Sequence, residues 1–169
     1  MIAAEKNIVL IGMPWSGKST VGVLLAKRLS RGFVDTDVRI QAAERRRLQQ
    51  IIGADGLDAF RRLEEQYILG LDCRGAVIAT GGSVVYSAPA MAHLKQTGVC
   101  VYLELPLGTL QERADSVDSR GLVRAPGQTL EDLYRERRPL YQRYADIALP
   151  CEGLGHDAVA EAICARLSP

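Results

Sequence analysis

Gly12-Met13-Pro14-Trp15-Ser16-Gly17-Lys18-Ser19-Thr20 is the stretch whose residue types and spacing can do chemistry. It follows the phosphate-loop pattern G-x-x-x-x-G-K-[ST], in which consecutive backbone N–H groups ring an anion. Lys18 reaches the outer phosphates as a point charge, and the Ser19 hydroxyl is placed to ligate Mg²⁺. The pattern needs a strand before it and a helix after it, so that the positive helix end points at the phosphates. Ile8-Val9-Leu10-Ile11 supplies an apolar run on one side, and residues 21–29 carry apolar side chains at helical spacing on the other. The stretch predicts a nucleoside triphosphate site.

Other chemistry-bearing groups fall where further strands end. Phe33-Val34 leads into Asp35-Thr36-Asp37, two carboxylates one residue apart, at the kind of strand end where open α/β sheets bind ligands. Both acids could also be turn residues, with Thr36 as a helix N-cap. Residues 75–80 read as a strand running into Gly81-Gly82-Ser83, which is either a tight turn or a backbone that a ligand approaches closely. Arg61 and Arg137 could clamp an anionic acceptor, because a guanidinium donates two parallel hydrogen bonds to a carboxylate. Arg120 and Arg124 lie in a breaker-rich stretch, 116–128, that reads as a lid.

These groups need a frame. The chain has 169 residues, with 47% hydrophobic and 24% charged, and its 21 basic residues nearly balance 20 acidic ones. That is one globular domain over 1–169 with no polycationic face for nucleic acid. No apolar run nears ~20 residues and the N-terminus lacks a signal-peptide layout, so no membrane partner and a cytoplasmic location are expected. Cys73, Cys100, Cys151 and Cys164 have no metal-site spacing, and His93 and His156 are isolated. With no long apolar stripe evident, a monomer is expected.

Strand and helix patterns alternate. Strands are expected at 7–11, 33–34, 75–80, 99–105 and 146–149. Helices are expected at 18–31 (closed by Gly32), 38–52, 57–73, 89–96, 107–115, 133–144 and 156–167. The run Arg45-Arg46-Arg47 reads as a solvated helix face, and Gly53–Gly56 as a break. In the 57–73 helix, Phe60, Leu63, Tyr67, Ile68 and Leu71 form the apolar stripe, with Arg61, Arg62, Glu64 and Glu65 interspersed and Arg61 able to pair with Glu65. Thr129 with Asp132 starts a helix that Arg137-Arg138-Pro139 should interrupt. The alternation predicts an α/β three-layer sandwich, a five-stranded parallel sheet with helices on both faces.

The chain lacks the D-x-x-G and N-K-x-D motif pair of GTPases, and its fourth strand ends in Glu104-Leu105-Pro106 rather than in four apolar residues followed by Asp, as a motor or AAA-type ATPase strand does. A small kinase remains, transferring the terminal phosphoryl group to a bound acceptor. In order and spacing, Gly12–Thr20, Phe33–Asp37, Phe60-Arg61-Arg62-Leu63-Glu64, Ala79–Gly82, Arg120 and Arg137-Arg138-Pro139-Leu140-Tyr141 resemble the shikimate kinases over almost the whole chain. The resemblance implies a nucleoside-monophosphate-kinase-like fold with an acceptor-binding segment at about 35–62 and a lid at about 116–128. It implies ATP and Mg²⁺, with shikimate or a similar hydroxylated carboxylate as acceptor.

Carried over by position, residues 12–20 would bind the phosphates, with Ser19 on Mg²⁺ directly and Asp35 through water. Asp37 would contact the acceptor hydroxyls and assist proton removal, Arg61 and Arg137 would clamp its carboxylate, and Gly81 and Gly82 would present backbone to its ring. Arg120 would stabilise the transferring group and Arg113 would stack on adenine. Trp15 stands where that family usually has glycine, and Ser83 replaces the last of three glycines. The indole is expected to lean out over the loop and leave the phosphate cavity open. Alternatives are a same-fold kinase for another small hydroxylated acid or metabolite, and a nucleotide-binding regulatory protein without turnover.

Overall fold

The computed structural model describes residues 3–116 and 123–167. Five parallel strands run in the order β2-β3-β1-β4-β5. They are β1 (Asn7–Ile11), β2 (Phe33–Asp35), β3 (Val77–Ala79), β4 (Gly98–Glu104) and β5 (Ile147–Pro150). β1 is buried along its whole length because it pairs on both sides, Val9 facing Ile78 of β3 and Cys100 of β4. A strand covered on both faces reads as a continuous apolar run, as Ile8–Ile11 does.

The helices are α1 (Lys18–Leu29), α2 (Thr36–Glu44), α3 (Leu48–Asp55), α4 (Leu57–Leu69), α5 (Ala88–Thr97), α6 (Leu107–Ser116), α7 (Leu130–Tyr144) and α8 (His156–Leu167). Right-handed crossovers put α1 and α8 together on one face, and α4, α5 and α7 on the other. The result is the expected three-layer sandwich. A second, smaller apolar cluster of Ile40, Leu48, Ile51, Phe60 and Val123 lies under α2–α4.

Local differences from the sequence reading have physical causes. α1 ends at Ser30, which takes the left-handed conformation (φ 52°) with its N–H on the carbonyls of Ala26 and Lys27, so Gly32 is not the stop. The expected 38–52 helix is two helices: Arg45 turns left-handed at φ 52°, and Gln50 Oε1 accepts from Arg47 N at 2.8 Å to start α3. The basic run is therefore the turn, held by Arg46 bridging Glu44 and Asp55 at 3.5 and 2.9 Å. α3 continues through Gly53 to Asp55, and Gly56 alone separates it from α4. Pro139 does not interrupt α7. Burial of Leu133, Arg137 and Tyr141 along one face outweighs the ~3 kcal/mol that an internal proline costs.

No described helix is long and apolar enough to cross a membrane.

Candidate active site

The loop between β1 and α1 closes around its own lysine. Lys18 Nζ donates to the carbonyls of Gly12 (2.9 Å) and Met13 (2.8 Å) and lies 3.4 Å from Ser16 Oγ. Burial, and secondarily Arg137, pushes its pKa down to about 8, against the pull of Asp37 and Asp35. Gly17 (φ 91°) and Trp15 (φ 62°) both use the left-handed region that lets the loop turn. For tryptophan that conformation costs roughly 1–2 kcal/mol, which explains why a glycine is the easier residue there. The Trp15 carbonyl accepts from Arg113 Nη1 at 3.0 Å, so Arg113 stands at the outer rim of the loop.

The indole of Trp15 is half-buried against the core. It lines a cavity of about 270 Å³ together with Pro14, Gly17, Lys18, Ser19, Thr20, Asp37, Thr80, Gly82, Val123 and Arg137. The space beside Lys18 is open, and the side chain forms a wall of it.

Ser19, at the start of α1, donates from Oγ to Asp35 Oδ2 at 2.5 Å. Asp35 Oδ1 accepts from Val38 N at 3.1 Å and so caps α2, making Asp35 rather than Thr36 the N-cap. One carboxylate thus fixes the α2 N-terminus and faces the loop hydroxyl. A hydroxyl and a carboxylate in contact are hard oxygen donors of the kind Mg²⁺ takes beside nucleotide phosphates.

Asp37 sits in the first turn of α2, facing the same cavity. Burial first, then the neighbouring Asp35, raises its pKa to about 6, which Lys18 partly offsets. Thr36 Oγ1 accepts from Gly81 N at 3.1 Å, tying α2 to the glycine pair after β3. A Cβ on Gly81 would lie 2.7 Å from Asp37 Oδ1 and run into Glu64 Oε1; one on Gly82 would meet Pro14 at 3.0 Å and Arg137 Nη1 at 3.1 Å. The glycines are there because the two acids, Arg137 and the loop converge on their backbone.

Arg137 is fully buried. Its Nη2 donates to the Val123 carbonyl (2.6 Å) and its Nε to Tyr86 Oη (3.1 Å), while Nη1 has no partner. Asp37 Oδ1, Arg61 Nε and Glu64 Oε1 are likewise buried and unpartnered; with Arg137 Nη1 they make four of the five such side-chain atoms among the described residues. Each orphaned buried group costs roughly 1–3 kcal/mol, so their concentration at one place marks where a polar ligand belongs. A molecule carrying hydroxyls and a carboxylate would satisfy both the acids and the arginines. A separate cavity of about 480 Å³ between α2 and α4 is lined by Thr36, Arg39, Tyr67 and others but contains none of these atoms.

The sequence-predicted residues are not all brought to one wall. Lys18, Ser19, Asp37, Gly82 and Arg137 share the loop cavity, whereas Arg61 opens on an adjoining one of about 210 Å³ with Glu64, Ser83 and Tyr86. Arg61 does not pair with Glu65; Asp58 approaches it at 4.0 Å, and Glu65 instead accepts from Ser87 Oγ at 2.5 Å. Arg120 lies outside the described residues, as does the 117–122 part of the expected lid.

Two residues of the site escaped the sequence reading. Glu64, expected among the polar residues of α4, is 2% exposed and accepts from Ser83 Oγ at 2.5 Å. The signal was available: Glu64 stands four residues after Phe60 and four before Ile68, on the buried stripe. Ser83 therefore turns its hydroxyl toward a buried carboxylate. Tyr86, on the 3₁₀ turn Val84–Tyr86, had no comparable signal.

Burial raises Glu64 to about 7, with Asp37 adding to the shift and Ser83, Arg137 and Arg61 opposing it. The neutral form is favoured in the fold, so stability falls as pH rises from the ordinary carboxylate range to about 7. Spread over that shift from 4.5, the loss is about 3 kcal/mol. Glu64→Gln is accordingly expected to melt several degrees above the parent at pH 8 and together with it at pH 4. Equal melting temperatures at both pH values would contradict the buried charge.

A family model described as shikimate kinase matches residues 14–168. A shikimate kinase of Pasteurella multocida is 40% identical over 155 residues, covering 89% of each chain. Another from Persephonella marina is 34% identical over 163 residues, 96% of this chain and 99% of that one. Among solved structures, shikimate kinase from Acinetobacter baumannii in complex with shikimate superposes with a TM-score of 0.83 at 29% identity, over 96% of this chain and 93% of the other. Matched almost end to end in sequence and in fold, the chain belongs to the shikimate kinase family.

Proposed function

We propose that this protein transfers the γ-phosphoryl group of ATP to a hydroxyl of shikimate, giving shikimate 3-phosphate and ADP. The observation that carries the acceptor side is the group of buried, unpartnered acid and guanidinium atoms, Asp37 and Arg137 at the loop cavity and Arg61 and Glu64 at the second cavity. Lys18 and the backbone N–H groups of residues 12–20 other than Pro14 hold the phosphates, Lys18 leaving the Gly12 and Met13 carbonyls to do so. Bound Mg²⁺, held by Ser19 directly and by Asp35 through water, would offset charge on the outer phosphates. Asp37 orients the acceptor hydroxyl and takes its proton as the oxygen bonds to the γ-phosphorus and the bond to ADP breaks.

Arg137 and Arg61 bind the acceptor's carboxylate, and Gly81 and Gly82 let its ring lie against the backbone. Arg113 sits against the adenine, and Arg120 approaches the transferring group. We assign residues 35–62 to acceptor binding and 116–128 to a lid, within one domain. Val123 supports the latter, since its carbonyl already contacts Arg137 at the cavity. Among the described residues the large exposed apolar side chains are Val23, Val38 and Leu69 on three different helices and Leu154 in the loop before α8, a scatter that favours a monomer.

A coupled ADP-release assay with shikimate, gluconate and homoserine as acceptors tests the reading. Release that depends on shikimate is expected. Release driven by gluconate or homoserine but not by millimolar shikimate would reassign the acceptor, and none with any acceptor would leave a nucleotide-binding protein without turnover.

A further inference from the structure

We propose that Tyr86 is a positioning residue that holds Arg61 and Arg137 in place to receive the acceptor's carboxylate. The inference rests on the acceptor reading above and adds a residue to it. Tyr86 ends the 3₁₀ turn four residues after Gly82 and lines the cavity of Arg61, whereas Arg137 lines the loop cavity. Its ring lies under the Arg61 guanidinium, 4.3 Å from centroid to Cζ, and the Arg137 Cζ stands 5.2 Å from the same centroid. Its hydroxyl oxygen accepts from Arg137 Nε at 3.1 Å.

Two guanidiniums drawn to one place repel each other. The electron-rich ring face and the phenol oxygen offset that repulsion, and they act on both arginines at once. Other contacts hold Arg61 loosely: Asp58 is 4.0 Å away with a side chain 84% exposed, and Glu64, in the same cavity, acts on it only through space. Arg61 Nε and Arg137 Nη1 remain buried and unpartnered despite these contacts. Tyr86 therefore orders both cations without consuming the donors that an anion needs. A carboxylate is the ligand chemistry that two such donors select.

The test measures shikimate affinity by calorimetry in the presence of ADP for the parent, Tyr86→Leu and Tyr86→Phe. Each is repeated with shikimate carboxamide, in which the carboxylate is neutral. Tyr86→Leu should weaken shikimate binding at least tenfold, from loss of ring and hydroxyl together, with ADP affinity nearly unchanged and a melting temperature a few degrees lower, because Arg137 Nε loses its acceptor. Its loss for the carboxamide should be under twofold. Tyr86→Phe keeps the ring and should lose only about threefold.

Unaltered shikimate affinity in Tyr86→Leu, or an equal loss for both acceptors, overturns the inference while leaving the acceptor reading intact. A parent that binds no shikimate overturns both. If Tyr86→Leu does not unfold cooperatively, Tyr86→Phe decides: a loss specific to the carboxylate supports the role and no loss rejects it.

Discussion

Asp37→Asn is expected to lower kcat about a thousandfold while ATP affinity stays within about threefold, as for removal of a positioned general base. Asparagine is close in shape and can still meet the acceptor hydroxyl, but it cannot take the proton. The residue is held for this task by Asp35 capping α2 and by Thr36 tying α2 to Gly81. Its pKa, raised to about 6 chiefly by burial, keeps it ionised at neutral pH yet basic enough to accept a proton. The parent's kcat/KM should therefore fall tenfold per pH unit on the acid side of about 6, where Asp37 becomes protonated. That limb should be missing from the variant's profile. Near-parental turnover by Asp37→Asn would show the proton going elsewhere.

Arg137→Lys should lower kcat/KM for shikimate about a hundredfold, mainly through KM, because a single ammonium cannot hold Val123 and Tyr86 and still aim a donor at the acceptor's carboxylate. The buried guanidinium does three things at once: Nη2 holds the Val123 carbonyl, Nε holds Tyr86, and Nη1 points at the space beside Gly82. A lysine cannot reproduce all three. The acceptors it abandons should also cost about 2 kcal/mol of stability, read as a lower melting temperature. Arg61→Lys should have a smaller effect on acceptor KM, since the Arg61 side chain is 33% exposed and lies in the adjoining cavity. An unchanged acceptor KM in Arg137→Lys would remove this residue from the clamp.

The parts legible in the sequence are those in which one local pattern has one physical solution. The β1–loop–α1 unit is fixed by an apolar run, a glycine-bounded loop and a helical stripe, and the sheet follows from alternating periods. The turn at Arg45–Arg47 was hidden because arginine is a good helix former, and a left-handed conformation at Arg45 leaves no mark in composition. Pro139 misled in the opposite direction: a local rule predicts a break, while burial of Arg137 and Tyr141 on either side keeps the helix whole.

The site shows the same division. Asp37, Gly82, Arg137 and Lys18, distant in sequence, meet at the sheet's C-terminal edge as the strand ends suggested. Arg61 required the third dimension, since nothing in its spacing says that Tyr86 draws it to a second cavity. Glu64 belongs to the Phe60–Glu64 motif, but its burial is readable only by counting helical positions, because a carboxylate on an amphipathic helix is ordinarily solvated.

We assign the seat of a phosphoryl acceptor to the orphaned acids and guanidiniums near the phosphate loop. The most direct measurement is phosphorus NMR of the reaction of ATP with shikimate over the purified protein. A phosphate monoester of shikimate, accumulating in equal amount with ADP and absent with Asp37→Asn over the same interval, is the predicted result. ADP accumulating with inorganic phosphate alone, at the same rate with and without shikimate, would contradict it.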